Sequence, residues 1–332
     1  MGARSLTEPM VLRVPHRGRL APSPTGALHL GHARTFLWAY WHAKSRGGDV
    51  VLRIEDVDAE RASREHVDQL LRDLEWLGLD WTGRPRLQSE RIEQLRSAAH
   101  GLLARGLAYP CVCSRGDLRA AALAQGAAEE APGAPQERTR EFRYPGTCRD
   151  RWSSIEAAEA ESGRPAGLRL RTEGRTVAFD DLLHGSRHED VGEHPGDFLI
   201  LRRDKTPAYH LAVVVDDATD GVTDVVRGDD LLESTARQVL LAQLLGVPPL
   251  SYAHVPLVVD AQGRRLAKRD QARSLLELRQ RGVAPQDIVA WAARGAGQLV
   301  PAGDGGLAPD FVADFDLGRI PPGTTPAPTD WP

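Results

Sequence analysis

Arg19-Leu20-Ala21-Pro22-Ser23-Pro24-Thr25-Gly26-Ala27-Leu28-His29-Leu30-Gly31-His32-Ala33-Arg34 joins a first strand to a first helix. Val11, Leu12, Val14 and Leu20 supply β-forming side chains before the junction. Pro22, Pro24 and Gly26 end the strand, because proline has no N–H for a ladder and glycine relaxes the backbone. After Gly31 the spacing becomes helical: Ala33, Leu37, Tyr40, Trp41 and Lys44 recur at three and four, and Gly47-Gly48 closes the run. His29 and His32 stand three apart, so within a first turn they share a face. A helix N-terminus that follows a strand attracts phosphate through its unpaired N–H groups and its dipole. Two histidines add donors there without a large fixed charge.

Outward from this turn, residues 49–56 alternate Val50, Leu52 and Ile54 as a second strand, with Glu55 and Asp56 at its carboxyl end. Ligands of an open parallel sheet bind outside those ends, and a carboxylate there can meet an ammonium. Val67, Leu70, Leu71, Leu74 and Leu77 make one helical stripe over residues 64–77. A second helix is expected from Ser89 as N-cap through Leu103 to Gly106. Strands alternating with such helices indicate an α/β fold with a parallel sheet.

Leu168, Leu170 and Val177 suggest strands, and Phe179-Asp180-Asp181 suggests a turn. Residues 196–217 read as a buried strand followed by a helix, and residues 231–246 as an amphipathic helix. Val255–Val259 reads as a strand leading to Gly263-Arg264-Arg265-Leu266-Ala267-Lys268-Arg269-Asp270. Helical stretches at Ser274–Arg281 and Asp287–Arg294 precede a Pro/Gly-rich tail without a strong pattern.

With 332 residues the chain can form about two domains, and its 41% apolar content supports an ordinary core. A net charge of −4 is not that of a protein that grips nucleic acid by charge alone, so any RNA contact is local. No apolar run is long enough for a membrane span, and the N-terminus lacks a signal-peptide core, which points to the cytoplasm. Cys111, Cys113 and Cys148 are odd in number, and two are one residue apart, which suits a metal better than a disulfide framework. Three thiolates need a fourth ligand for tetrahedral zinc, and residue type alone leaves that ligand open. Between Cys113 and Tyr144-Pro145-Gly146-Thr147-Cys148 lies an alanine-rich, low-complexity insertion. Only Lys44, Lys205 and Lys268 are lysines among the 42 basic residues, so each is a candidate for a role that needs a compact ammonium.

The turn at 19–34 resembles the His-Ile-Gly-His signature of class I aminoacyl-tRNA synthetases, and Arg-x-Ala-Pro-Ser-Pro-Thr-Gly before it resembles the glutamyl branch. Arg-Ile-Glu-Asp-x-Asp at 53–58, Tyr209 in its Ala-Tyr-His-Leu-Ala run and Arg227 in Val-Val-Arg-Gly-Asp-Asp are similar to elements of that branch. Arg264–Asp270 resembles the Lys-Met-Ser-Lys-Ser loop with only the second lysine kept, as Lys268, which leaves the role of Arg265 open. Cys-x-Cys followed by Tyr-x₃-Cys resembles the zinc site of the truncated glutamyl paralogues, the glutamyl-Q tRNA(Asp) synthetases. The resemblance covers roughly residues 18–275 and implies a Rossmann-type parallel sheet with an inserted zinc-containing subdomain and a short helical C-terminal part. The implied division is 1–110, first half of the core; 111–195, zinc subdomain; 196–275, second half of the core; 276–332, short helical segment and flexible tail. It implies glutamate activation with ATP and Mg²⁺. His29, His32 and Lys268 then serve the phosphates. Arg19, Leu20, Ala21, Pro22, Ser23, Glu55, Tyr209 and Arg227 serve glutamate, and both arginines are candidates for the side-chain carboxylate. Structural zinc would be held by Cys111, Cys113, Tyr144 and Cys148. The implied acceptor is queuosine in the anticodon stem-loop of tRNA(Asp), because no large helical anticodon-binding region follows Lys268, and a monomer is expected. Two other readings stay open: a short glutamyl-tRNA synthetase charging the 3′ end, and a non-catalytic amino-acid- or tRNA-binding adaptor.

Overall fold

The computed structural model describes residues 15–58, 63–124, 143–260, 262–264, 266, 274–300, 305–329 and 331. Val11, Leu12, Val14, Arg265, Lys268 and the insertion from residue 125 to 142 lie outside them. The first half holds β1 (Arg17–Leu20), α1 (Leu30–Ser45), β2 (Asp49–Ile54), α2 (Arg64–Trp76), β3 (Arg86–Leu87), α3 (Ile92–Ala104), β4 (Ala108–Cys111) and α4 (Arg115–Ala124). Next come α5 (Ile155–Ser162), β5 (Gly167–Leu170), β6 (Thr176–Asp181), β7 (Gly185–Asp190) and β8 (Leu199–Leu201). The chain continues with α6 (Tyr209–Asp220), β9 (Asp224–Gly228), α7 (Leu232–Leu245), β10 (Ser251–Val255) and β11 (Val258–Val259). It closes with α8 (Leu275–Gln280), α9 (Pro285–Gly295) and β12 (Thr325–Pro326).

β1, β2 and β3 pair in parallel in that order. A second sheet runs β7-β6-β10-β9, with β10 parallel to both β6 and β9. The Thr223 N–H donates to the Arg17 carbonyl at 2.9 Å, which sets β9 beside β1. Both strands leave by turns of helix, α1 from β1 and α7 from β9, so the order reverses between them. That crevice is where a doubly wound sheet takes its ligand. Helix α1 lies close on β1 because Gly18 has no side chain: a Cβ there would stand 2.9 Å from Ala43 Cβ. The main core joins this face of the sheet to α1, α2, α8 and α9 through Leu37, Trp38, Trp41, Leu52, Leu74 and Ile288, all fully buried.

An antiparallel sheet β4-β5-β8 with α5 forms the inserted part, and it shares the second apolar cluster with α3, α6 and α7. Residues 176–190, assigned to the inserted part from sequence, instead form the β6–β7 hairpin at the edge of the core sheet. Phe179-Asp180-Asp181 is strand rather than turn, with Asp181 opposite Tyr252. Ser89 does not cap α3: its N–H and hydroxyl donate to the two oxygens of Asp56 at 2.8 and 2.6 Å, and the cap position is Arg91. The strand expected over 255–259 breaks at Pro256 into β10 and β11. The described part of the tail is packed rather than flexible. Phe311 and Phe315 lie against Trp41, the Trp41 indole donates to the Ala308 carbonyl at 2.7 Å, and β12 pairs with β11. Among the described residues no helix is long and apolar enough to cross a membrane.

Candidate active site and metal centre

Helix α1 begins at Leu30, three residues before the first apolar repeat read from sequence, with His29 as its extended N-cap. His29 Nδ1 accepts from the N–H groups of Gly31 and His32 at 3.1 and 3.4 Å, and the His29 N–H donates to His32 Nδ1 at 3.3 Å. This is a capping box built from two imidazoles in place of the usual hydroxyl and carboxylate. Each Nδ1 is an acceptor, so each neutral ring carries its proton on Nε2. The rings stack with centroids 3.6 Å apart, and both residues line the crevice.

At the other end of the crevice the charges interlock. Arg53 on β2 donates to Asp217 Oδ1 at 2.5 Å and to Glu55 Oε1 at 3.2 Å. Arg19 on β1 donates to the Val226 carbonyl at 3.2 Å and lies 3.6 Å from the same Asp217 oxygen. The Glu55 N–H donates to the Pro22 carbonyl at 2.9 Å and so fixes the end of β2 against the Pro22 segment. Burial raises the Glu55 carboxyl, with Arg53 and Arg19 opposing. Arg227 on β9 is 4% exposed. Its Nε donates to His254 Nε2 at 3.0 Å, Nη1 to Gln238 at 2.7 Å and Nη2 to Thr235 at 2.8 Å. His254 Nδ1 stands 2.6 Å from Asp181 Oδ2. Burial lowers the His254 pKa against the pull of Asp181. Because the Arg227 Nε–H can only donate, His254 Nε2 accepts, and its ring proton sits on Nδ1 facing Asp181.

Of these side chains, His29, His32, Arg19, Glu55 and Arg227 line one cavity of about 320 Å³, and Arg53, Asp217, His254 and Asp181 stand behind its wall. It takes in Arg19, Ala21, Pro22, Ser23, His29, His32, Glu55, Tyr209 and Arg227, with Tyr209 partly exposed at the start of α6. Leu20 is the exception. It is fully buried in the main core, because strand alternation turns it to the opposite face from Arg19. Lys268 lies outside the described residues. Sequence reading missed Arg53, Asp217, His254 and Asp181, whose signal was a charged or polar residue inside an apolar run.

Cys111, Cys113 and Cys148 bring their sulfurs within 4.8 Å of one another. The Tyr144 hydroxyl stands 3.5 Å from Cys111 Sγ and 3.6 Å from Cys113 Sγ, and accepts from the Cys148 N–H at 2.8 Å. Tetrahedral zinc–thiolate geometry sets ligands roughly 3.8 Å apart, so the spacing fits. Hydrogen bonds from Cys113 and Cys148 and then the charge of Arg169 pull the Cys111 thiol down toward thiolate. Arg169 Nε reaches Cys111 Sγ at 3.3 Å, and its guanidinium covers the Tyr144 ring at 4.0 Å. The three cysteines can hold a metal ion.

A parallel sheet whose first helix opens on a His-Leu-Gly-His cap at the strand-order reversal defines a class I tRNA synthetase catalytic domain. Residues 16–298 match the family model for tRNA synthetases class I (E and Q), catalytic domain; the chain belongs to that family and is a ligase. It is 43% identical over 313 residues to a Glutamyl-Q tRNA(Asp) synthetase of Symbiobacterium thermophilum, covering 92% of this chain and 93% of that one. A Glutamate–tRNA ligase of Geobacter sulfurreducens is 43% identical over 283 residues, covering 84% of this chain and 56% of the ligase. Among solved structures, a glutamate tRNA ligase from Elizabethkingia meningosepticum in complex with its amino acid superposes with a TM-score of 0.78 at 26% identity. It covers 94% of this chain and 67% of that one.

Proposed function

We propose that the chain activates glutamate with ATP and transfers it to queuosine in the anticodon of tRNA(Asp). One observation carries the first half: a single cavity is lined both by the stacked histidines and by Arg19, Glu55 and Arg227, with Arg53 and Asp217 bracing Glu55 and Arg19 from behind. A glutamate carboxylate oxygen attacks the α-phosphorus of ATP, the bond to the β,γ-phosphates breaks, and pyrophosphate leaves with the electron pair. His29 and His32 donate from Nε2 to the phosphates, and Lys268 adds a cation as charge develops on the leaving group. Glu55 meets the ammonium of glutamate. Arg19 and Arg227 supply carboxylate recognition, a task suited to a planar guanidinium. The chemistry is positioning and electrostatics, with no covalent protein intermediate. Magnesium bound with ATP would supply further positive charge to its phosphates.

The second half rests on likeness to the relatives named Glutamyl-Q tRNA(Asp) synthetase, which match over 87–93% of their own length. A hydroxyl of queuosine attacks the adenylate carbonyl and AMP leaves. An unstacked loop base exposes its edges, so a small footprint suffices for a protein of net charge −4. Cys111, Cys113, Tyr144 and Cys148 would hold one structural zinc, and the protein would act as a cytoplasmic monomer. The test is ATP–pyrophosphate exchange with glutamate and no tRNA. It is followed by transfer of labelled glutamate to a queuosine hairpin, a queuosine-free hairpin and tRNA(Glu). Exchange without tRNA and labelling of the queuosine hairpin alone are expected. Charging of tRNA(Glu) at its 3′ end alone would replace this reading by the short glutamyl-tRNA synthetase.

A further inference from the structure

Arg34 follows the His-Leu-Gly-His turn by two residues and takes no part in the chemistry described above. It is 1% exposed, yet it lines the cavity. Its guanidinium stacks over the Trp38 ring at 4.3 Å, and Nη2 donates to the Pro256 carbonyl. Nε and Nη1 have no hydrogen-bond partner among the described residues. Burial pushes the group down to about 9, with Asp229 opposing. Buried N–H groups of a cation are costly to leave unmade. In a cavity wall they call for a ligand that brings acceptors.

The position of Arg34 says which part of a ligand that is. One helical turn separates it from Gly31, so the two share a face of α1. Gly31 stands between the His29 ring and Val258: an added Cβ would meet His29 Cε1 at 3.0 Å and Val258 Cβ at 3.6 Å. Leu257, Val258 and Leu266 complete an apolar wall. An apolar wall beside a buried cation with unmade donors suits a flat heteroaromatic ring that carries acceptor nitrogens. His32, by contrast, lies about 200° around the helix from Arg34, on the side given to phosphates.

Resting on the reading of the cavity as an ATP site, we propose that Arg34 binds the nucleobase, donating a hydrogen bond to a ring nitrogen of adenine. Binding of ATP, 1-deaza-ATP, 3-deaza-ATP and 7-deaza-ATP to the wild type and to Arg34→Met, by calorimetry, tests this. The wild type is expected to bind one of the three analogues about 10–100-fold more weakly than ATP, the range of a charge-assisted hydrogen bond. Arg34→Met is expected to lose a similar factor for ATP and to bind that analogue and ATP alike. In exchange assays its KM for glutamate should stay near that of the wild type. Equal binding of ATP and all three analogues by the wild type overturns the assignment, whether or not the variant folds. So does a folded variant that keeps the wild-type preference, which would make Arg34 a brace for the Pro256 segment. A wild type that binds no ATP removes the ATP-site reading itself, and the proposal with it.

Discussion

At the proposed amino-acid end of the cavity, Arg227 commits its donors to His254, Gln238 and Thr235, and Arg53 bridges Asp217 and Glu55. At the proposed nucleotide end, Arg34 keeps two buried nitrogens without a hydrogen-bond partner among the described residues, and the two histidines cap their own helix through Nδ1. The first set is built before any ligand arrives, and the second is completed by the ligand. A small amino acid must be told from close relatives, which calls for groups fixed in advance. A triphosphate brings its own charge and acceptors.

The largest expected effect tests the fixed end. Arg227→Lys should lower kcat/KM for glutamate by on the order of 10³, because an ammonium cannot reach three separate partners and would leave the buried set unpaired. Exchange kinetics within about tenfold of the wild type would show that the fork is not used, and the contrast between the ends would lapse. Next, Lys268→Ala should slow adenylate formation by roughly 10²–10³ with the KM for glutamate nearly unchanged. A glutamate KM that rises in step with the loss of rate would mean that the ends are coupled, and wild-type rates would pass the role to another residue such as Arg265.

The cysteine cluster extends the comparison to a site completed by an ion. Elemental analysis should find about one zinc per chain, and Cys148→Ser should lose it with a fall in melting temperature of roughly 5 °C or more. A metal-free protein that melts and works as before would reduce the cluster to ordinary core thiols.

The smallest effect concerns a buried charge away from the cavity. Asp73 accepts from Gln69 at 2.7 Å through one oxygen, and the other has no partner among the described residues. Burial raises its pKa from 3.8 to about 6. The folded state therefore resists ionisation: the penalty is absent below the ordinary value and complete above the raised one, so stability falls as pH climbs between them. Asp73→Asn should stabilise the protein by about 1–2 kcal/mol at pH 7 and by much less at pH 4, read from denaturant melts. A variant weaker than the wild type at pH 7 would mean that the ionised carboxylate has a partner after all.

Local signals were legible in the sequence because they are local in origin. The strand–turn–helix at 17–45 and the stripe of α2 follow from spacing alone, whereas the grouping of the three cysteines needed the family resemblance, since Cys148 is far from Cys111 and Cys113 in the chain. The arrangement behind Arg227 was not legible, since Asp181, Thr235 and His254 come from three elements that only the sheet brings together. A hint was present in Val50-Val51-Leu52-Arg53-Ile54, where a charged residue inside a buried run must find a buried partner. Lysine scarcity was a poor guide. Lys44 pairs with Asp80 at 2.9 Å and Lys205 with Glu159 at 2.6 Å, ordinary ion pairs that arginine could make. The packed tail was hidden because its apolar residues, Phe311, Phe315 and Ile320, follow no single period.

The pairing of β12 with β11 has a consequence for how the chain is made. Thr325 and Pro326 lie beside Val258 and Val259, and Val258 is part of the cavity wall. At about 5–20 residues per second, several seconds pass between synthesis of the two partners. During that interval this part of the cavity wall lacks the strand that pairs with it. The wall is therefore braced only after residue 326 has been made, so this part of the cavity is finished by a strand synthesised long after the strands and helix that begin it.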